Sequence, residues 1–162
     1  MKLPVMNKPA MVVENEFQAP PEYVAKWLQD MQEDDARFFG DARKIKVLER
    51  SDKHVKLMAE VPEMGAINTY LRVETPTKWV ADVDFVNQGQ LMGKARVVET
   101  VQPKAIGTLH RAEIYMQPMN EQFAAMLTQM GPEWEKGLKA AFDKMKQELN
   151  AEYKAGKPPA KK

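Results

Sequence analysis

The sequence predicts an α+β domain in which an antiparallel sheet packs against one long C-terminal helix, with two short helices after the first strand. From about residue 119 to 153, apolar residues recur at steps of three and four, as they do on one face of a helix. From residue 44 to 116 they recur at every second position, which is typical of half-buried strands. Short turn sequences separate those strands, so neighbouring strands should run antiparallel.

The first strand and the two short helices are predicted from the first forty residues. Residues 11–18 alternate between an apolar and a polar face, and Ala19-Pro20-Pro21 ends that strand. Proline suits the first turn of a helix, where its missing N–H has no partner within the helix. We therefore expect one short helix from Pro21 to Gln29, and a second from Asp34 to Phe39 that ends at Gly40.

Six further strands are predicted from the alternating segment. The residues expected on their covered face are mostly apolar or small: Ile45, Val47, Val55, Leu57, Ala59, Val61, Ile67, Thr69, Leu71, Val73, Trp79, Ala81, Val83, Phe85, Leu91, Gly93, Ala95, Val97, Val101, Thr108, His110, Ala112, Ile114 and Met116. Charged residues such as Asp82 and Asp84 occupy the opposite face, which we expect to be solvated. A shift of the strand alternation by one residue would move every one of these residues to the opposite face.

The long helix carries its own start and interruption signals. Asn120 is a suitable N-terminal cap, because its side chain can accept a hydrogen bond from the first turn. Gly131-Pro132 lies inside the pattern, and proline removes a backbone donor and clashes with the preceding turn. The apolar stripe nevertheless resumes in phase at Trp134. The sequence predicts either one bent helix or two abutting helices.

Composition excludes several classes of function. The formal net charge is +1 with acids and bases interleaved, so we expect no nucleic-acid partner. The chain has no cysteine and two histidines, which leaves no thiolate or histidine-rich metal site, and no cofactor is expected. The first ten residues hold Pro4 and Pro9 and no long apolar run, so they do not resemble a signal peptide. We expect a cytoplasmic protein with no integral membrane association.

The chain divides into three predicted parts. Residues 1–9 form an N-terminal extension, residues 10–153 form a single domain long enough for one core, and residues 154–162 form a basic tail. That tail has no large apolar side chain that could pack, and we expect it to be disordered.

The order of these elements resembles the START-like (SRPBCC) superfamily, which includes polyketide cyclase/dehydrase-like and Bet v 1-like proteins. The segment from Phe17 to Leu28, which reads FQAPPEYVAKWL, is similar to the strand end, Ala-Pro step and helix start of that superfamily. The resemblance covers residues 10–153. It implies a helix-grip fold, in which a curved sheet wraps around the C-terminal helix and leaves a cavity between them. It implies ligand binding and specifies no reaction.

Small residues on the covered face permit two interpretations, a close approach of the helix or a void. We predict a ligand-binding cavity whose candidate contacts are Asn15, Thr69, Trp79, Ala95, Thr108, His110, Ala112, Met116, Phe123, Met126 and Met130. Four of them are polar residues on the covered face and need hydrogen-bond partners there. His110 could be a core residue, a ligand contact or an acid/base group.

Three functions follow as hypotheses. The first is binding or transport of a small hydrophobic molecule (a lipid, polyketide or isoprenoid-like ligand) without catalysis. The second is an enzyme of the polyketide cyclase/dehydratase type with His110 as its acid/base group. The third is a co-chaperone-like module that binds a protein partner. The sequence identifies neither the ligand nor the oligomeric state.

Overall fold

A computed structural model of the chain describes residues 8–30, 44–61 and 65–159. Seven strands and two helices follow one another as β1 (Met11–Phe17), α1 (Pro21–Gln29), β2 (Lys44–Arg50), β3 (His54–Val61), β4 (Gly65–Thr75), β5 (Lys78–Asn87), β6 (Gln90–Pro103), β7 (Thr108–Pro118) and α2 (Glu121–Lys154). The first predicted short helix is confirmed as α1. The second, predicted over residues 34–39, lies outside the described residues.

The seven strands form one curved antiparallel sheet in the order β1-β7-β6-β5-β4-β3-β2. Strands β2 to β7 pair with their neighbours in sequence, and β1 adds to the far side of β7. The first strand therefore lies beside the last one, where both contact α2. This is the α+β arrangement that the sequence predicts.

The predicted faces of the strands are confirmed except at Leu91, which a register shift between β5 and β6 places opposite Val86 and so on the other face. In β1 the side chains of Val13, Asn15 and Phe17 are buried, while those of Glu14 and Glu16 between them are exposed. The register continues this face across the sheet, because Asn15 lies opposite His110 on β7 and His110 lies opposite Val101 on β6. No slip of one residue occurs along these pairs.

The turn between β5 and β6 shows how the hairpins close. Gln88 and Gly89 have φ angles of 52° and 77°. Two consecutive residues with positive φ are the mark of the two-residue hairpin turn whose twist matches that of the flanking strands. Glycine adopts such an angle without steric cost.

Helix α1 closes one end of the core. Val24, Trp27 and Leu28 are buried, and α1 contacts β6 and β7. These side chains join residues from several strands and from the last turns of α2, namely Phe142, Met145 and Leu149, in one hydrophobic cluster.

Helix α2 is uninterrupted, so the alternative of two abutting helices is wrong. The Asn120 side chain accepts a hydrogen bond from the Phe123 amide (2.7 Å), which confirms the predicted cap. Pro132 lies inside the helix and removes the amide that would bond to the Thr128 carbonyl. Both residues are exposed, so water can satisfy that carbonyl and the helix continues.

The end of α2 is anchored to α1. The Tyr23 hydroxyl donates to the backbone carbonyl of Lys157 (2.8 Å), and the Lys157 amide donates to the Glu152 carbonyl. Burial, helped by the nearby Glu152 carboxylate, raises the pKa of Tyr23. The predicted domain boundary at residue 154 therefore falls beside residues that contact α1.

Candidate functional site

Helix α2 packs against the rest of the domain near its two ends. Near its start, the Phe123 ring lies against Gly93 and 5.3 Å from the Phe85 ring. Near its other end, Phe142, Met145 and Leu149 are buried in the core. A Cβ atom on Gly93 would lie 2.4 Å from the Phe123 ring, so only glycine permits this approach.

In the middle of α2 no side chain is fully buried, and Leu138, toward its second half, is packed against the core only in part. Every residue from 124 to 141 is at least partly exposed, a stretch of about five turns. The apolar stripe nevertheless continues there through Met126, Leu127, Met130 and Trp134. The Trp134 ring stacks on Phe85 of β5 at 6.5 Å between centroids, which shows that this stripe faces the sheet. The side chains of this stripe are nevertheless less buried than those of a closed core.

The sheet shows the same incomplete coverage. Apolar side chains that the register directs toward α2 remain half-buried, among them Ile67, Val83, Phe85 and Met116. We call this region the open end of the core. We assign to it the sheet residues Ile67, Thr69, Val83, Phe85, Ala95 and Met116 and the helix residues Met126, Met130 and Trp134; Thr69 and Ala95 are buried, Met130 is exposed, and the rest are half-buried.

Thr69 is the polar side chain of the open end. It lies on β4 between Leu57 on β3 and Val83 on β5, and it is 4% exposed. Its hydroxyl oxygen is buried and has no hydrogen-bond partner among the described residues. A buried hydroxyl without a partner costs about 1–3 kcal/mol. The open end therefore offers one unused hydrogen-bonding group.

The opposite half of the covered face is fully packed, and we call it the packed end. His110 has no solvent exposure there. Its ring is stacked on Trp79 at 6.1 Å between centroids, and Phe142 and Phe17 lie 5.4 Å and 6.0 Å away. The second imidazole nitrogen, Nδ1, is buried without a partner among the described residues.

Glu99 is a buried acidic residue beside His110 that the sequence did not single out. It lies on the covered face of β6, 7% exposed, and its carboxylate accepts from the Trp79 indole N–H (2.8 Å). Its other oxygen lies 2.9 Å from Nε2 of His110. Val97 and Val101 lie two residues before and after it on the covered face. This alternation predicts that Glu99 faces the same way.

The predicted ligand contacts divide between the two ends. Thr69, Ala95, Met116, Met126 and Met130 belong to the open end, and Phe123 borders it. The others lie at the packed end: Asn15, Trp79, Thr108, His110 and Ala112.

Two polar residues of the packed end are satisfied within the protein. The Asn15 side chain donates to the Phe142 carbonyl (2.8 Å), and the Thr108 hydroxyl donates to the Ala19 carbonyl (2.7 Å). The first bond joins β1 to α2, and the second joins β7 to the segment that leads into α1. Both side chains therefore serve the fold at that end.

The outer face of the sheet carries a charged depression of about 280 Å³. Asp82 lies within it and accepts hydrogen bonds from Arg72 and from Arg96, whose Nε is 2.7 Å away. Burial by itself raises the pKa of the Asp82 carboxyl, but the hydrogen bonds and charges of the two arginines together outweigh it. The pKa of Asp82 therefore lies below its ordinary value.

A smaller depression of about 150 Å³ lies between α1 and the β2–β3 turn. The Ser51 hydroxyl oxygen there is 2.7 Å from Nδ1 of His54 and accepts from the amides of Lys53 and His54. A hydroxyl engaged in this way closes the turn, which gives Ser51 a structural role.

Metal-binding and membrane-spanning features are lacking in residues 8–30, 44–61 and 65–159. Within those ranges, no group of three or more His, Asp or Glu side chains is arranged to hold a metal ion. Neither of the two described helices is long and apolar enough to cross a membrane.

Neither protein-family models nor curated protein sequences match this chain. Solved structures do resemble it. TTHA0849 from Thermus thermophilus is similar with a TM-score of 0.67 and 12% identity, over 87% of this chain and 97% of that one. A START superfamily protein from Mycobacterium smegmatis is similar with a TM-score of 0.59 and 15% identity, over 86% and 97%.

A third similar structure is the di-domain ARO/CYC protein StfQ from the steffimycin biosynthetic pathway. It has a TM-score of 0.62 and 11% identity, and the match spans 90% of this chain and 51% of that one. At such identities the likeness concerns the fold alone. It confirms the START-like, helix-grip fold that the sequence predicts.

Proposed function

We infer that this chain, which has the START-like helix-grip fold, binds a small hydrophobic molecule between its sheet and α2. The observation that carries the proposal is the middle of α2, where residues 124 to 137 include no fully buried side chain although their apolar stripe faces an apolar sheet face. Apolar surface left half-covered inside a domain forgoes about 25 cal/mol for each Å² that a ligand could remove from water. A hydrophobic ligand would supply the missing contacts.

The chemistry of the open end favours an uncharged ligand. Its sheet side chains are apolar except for Thr69, and none of them is charged. Lys56 and Lys94 belong to adjacent strands but line the depression on the outer face. An ionised group placed beneath α2 would lose its hydration without gaining a counter-charge from the sheet, which is costly.

The dimensions of the open end limit the size of the ligand. Its sheet residues extend from β4, with Ile67, to β7, with Met116. Three strand spacings separate β4 from β7, which is about 14 Å. A molecule of two or three fused rings, or an alkyl chain of similar length, matches that span.

The structures that resemble this chain support the proposal at the level of the fold. They include a START superfamily protein and an ARO/CYC di-domain protein. The packed environment of His110 does not favour the enzymatic alternative, because its ring is enclosed by three aromatic side chains and its Nε2 is engaged by Glu99. We therefore propose binding or transport without catalysis.

Native mass spectrometry of the purified full chain tests this function. We expect either an additional mass that denaturing extraction releases as an apolar molecule, or one-to-one adducts when naphthalene or 2-naphthol is added. A chain that carries no additional mass and binds neither probe contradicts the proposal. Lysozyme in the same solutions serves as the control for non-specific adducts.

A further inference from the structure

We propose that the ligand carries one hydrogen-bonding oxygen, a hydroxyl or a carbonyl, and that Thr69 recognises it; this inference rests on the proposed function. Thr69 lies in the middle of β4, and the register directs its side chain toward α2. It is 4% exposed and forms part of the floor of the open end.

The Thr69 hydroxyl has no partner among the described residues. Its neighbours on the same face of the sheet are Leu57 on β3 and Val83 on β5, with Ala95 beyond on β6. None of these side chains can donate or accept a hydrogen bond. No described side chain or backbone group supplies the partner that a buried hydroxyl requires, so this group is available to a ligand.

The other polar groups on the covered face are engaged elsewhere. Asn15, Thr108 and Glu99 each form hydrogen bonds within the protein. Nδ1 of His110 is also unpartnered among the described residues, but Trp79 and two phenylalanine rings surround that imidazole at the packed end. Among the described residues, Thr69 is thus the one whose side chain has an unused hydrogen-bonding group and lies at the open end.

The position of Thr69 implies how the ligand is oriented. A hydroxyl group can both donate and accept, so it serves a ligand hydroxyl or a ligand carbonyl equally. The apolar body of the ligand would then extend over Val83 and Ala95 toward Met116 and face Trp134 on α2. A wholly hydrocarbon ligand would leave the Thr69 hydroxyl unsatisfied, and its affinity should be lower for that reason.

Two matched probes and two variants test the inference. 2-Naphthol and naphthalene share a ring system and differ by one hydroxyl group. We expect the full chain to bind 2-naphthol about tenfold more tightly than naphthalene, as one satisfied hydrogen bond implies. Thr69→Val, which keeps the side-chain shape, should abolish that preference and leave naphthalene binding unchanged. Thr69→Ser, which keeps the hydroxyl, should retain the preference.

The outcomes separate this inference from the proposed function. If both probes bind and Thr69→Val keeps the full preference for 2-naphthol, the assignment of Thr69 is wrong while ligand binding stands. If neither probe binds the unsubstituted chain, the proposed function itself is contradicted. Denaturation midpoints provide the folding check, because Thr69→Val removes an unpaired buried hydroxyl and should not lower the midpoint. A clearly lowered midpoint would show that the hydroxyl has a structural partner, and would overturn the inference.

Discussion

Nε2 of His110 lies 2.9 Å from Oε1 of Glu99, in a part of the core where both side chains are almost completely excluded from solvent. The second carboxylate oxygen of Glu99 accepts from the Trp79 indole, 2.8 Å away. One carboxyl group therefore links three adjacent strands, β5, β6 and β7, on the covered face of the sheet. Its position between two aromatic side chains makes it an internal crosslink.

Replacement of Glu99 should strongly destabilise the fold. Glu99→Ala leaves the Trp79 indole N–H and one imidazole nitrogen of His110 without partners in a buried site. We expect a loss of about 3–5 kcal/mol in the free energy of unfolding. Glu99→Gln keeps one acceptor oxygen and should lose about 1–2 kcal/mol. Urea denaturation followed by circular dichroism measures both.

Glu135 provides the matched control for Glu99. It is a half-buried glutamate on α2 whose carboxylate lies 3.3 Å from Lys139. Glu135→Ala should change the free energy of unfolding by less than about 1 kcal/mol, as is usual for such surface pairs. If Glu99→Ala and Glu135→Ala lower the free energy of unfolding equally, the Glu99 carboxyl group has no crosslinking role.

Glu99 also shows why one residue of the covered face escaped prediction. Period-two alternation predicts that it faces α2, but a glutamate is almost never buried unless it is paired. The pairing could not be seen, because it depends on Trp79 and His110 being brought together by the strand register. The alternation was sufficient to predict both faces of the sheet outside the β5–β6 bulge, since burial of one face fixes the register, but it placed Leu91 on the wrong face.

The division into an open and a packed end could not be predicted in the same way. Small residues on the covered face permitted either a close approach of the helix or a void, and the structure shows the close approach at one of them and incompletely covered neighbours at another. Phe123 lies directly against Gly93, while Ala95, two residues further along β6, belongs to the open end. Whether a small residue meets the helix closely depends on the distance between α2 and the sheet at that point. No local sequence pattern encodes this distance.

Gly93 and Gly137 should respond to alanine in opposite directions. A Cβ at Gly93 would lie 2.4 Å from the buried Phe123 ring, so the ring must move from a packed site. We expect Gly93→Ala to lower the free energy of unfolding by about 1–3 kcal/mol. Gly137 is an exposed residue of α2 with open space around it, and alanine there should raise stability by up to about 1 kcal/mol.

The same denaturation experiment measures both glycine variants. If the clash with the Phe123 ring causes the loss, Gly93→Ala should lower the free energy of unfolding less in a Phe123→Leu protein than in the parent. Equal effects at the two glycines would mean that Phe123 does not lie against Gly93 in solution.

The carboxyl group of Asp82 should titrate below its ordinary range. Burial acts to raise its pKa, but the hydrogen bonds and charges of Arg96 and Arg72 lower it further than burial raises it. Replacing Arg96 by methionine should therefore raise the pKa of Asp82. Carboxyl ¹³C NMR during a pH titration measures that pKa directly.

The sign of the stability effect follows from this shift. A carboxyl group whose pKa is lowered by folding stabilises the protein above the pKa of the unfolded chain, near 3.8. That contribution is lost as the pH falls through the lower pKa of the folded state. Asp82→Asn should thus be less stable than the parent at pH 6, and the difference should shrink as the pH falls below about 4. A difference that stays constant down to a pH of about 2.5 would contradict the assigned shift.

Two alanines of the covered face, Ala95 and Ala112, should separate ligand binding from folding. Ala95 is 5% exposed but lies at the open end beside the half-buried Met116, so leucine there would occupy space proposed for the ligand. We expect Ala95→Leu to weaken 2-naphthol binding at least about tenfold and to lower stability less than the same change at Ala112 does. Ala112 has no exposure and lies opposite Glu99 at the packed end. Ala112→Leu should cost about 1–3 kcal/mol of stability because no space is free there.

Fluorescence titration with 2-naphthol and urea denaturation distinguish these two effects. Ala140→Leu, at an exposed position of α2, is the control for added bulk and should change neither quantity. Because the Ala112 side chain lies away from the open end, Ala112→Leu that remains folded should bind 2-naphthol as the parent does. If Ala112→Leu abolishes binding while Ala95→Leu leaves it intact, the ligand occupies the packed end and the position proposed for it is wrong.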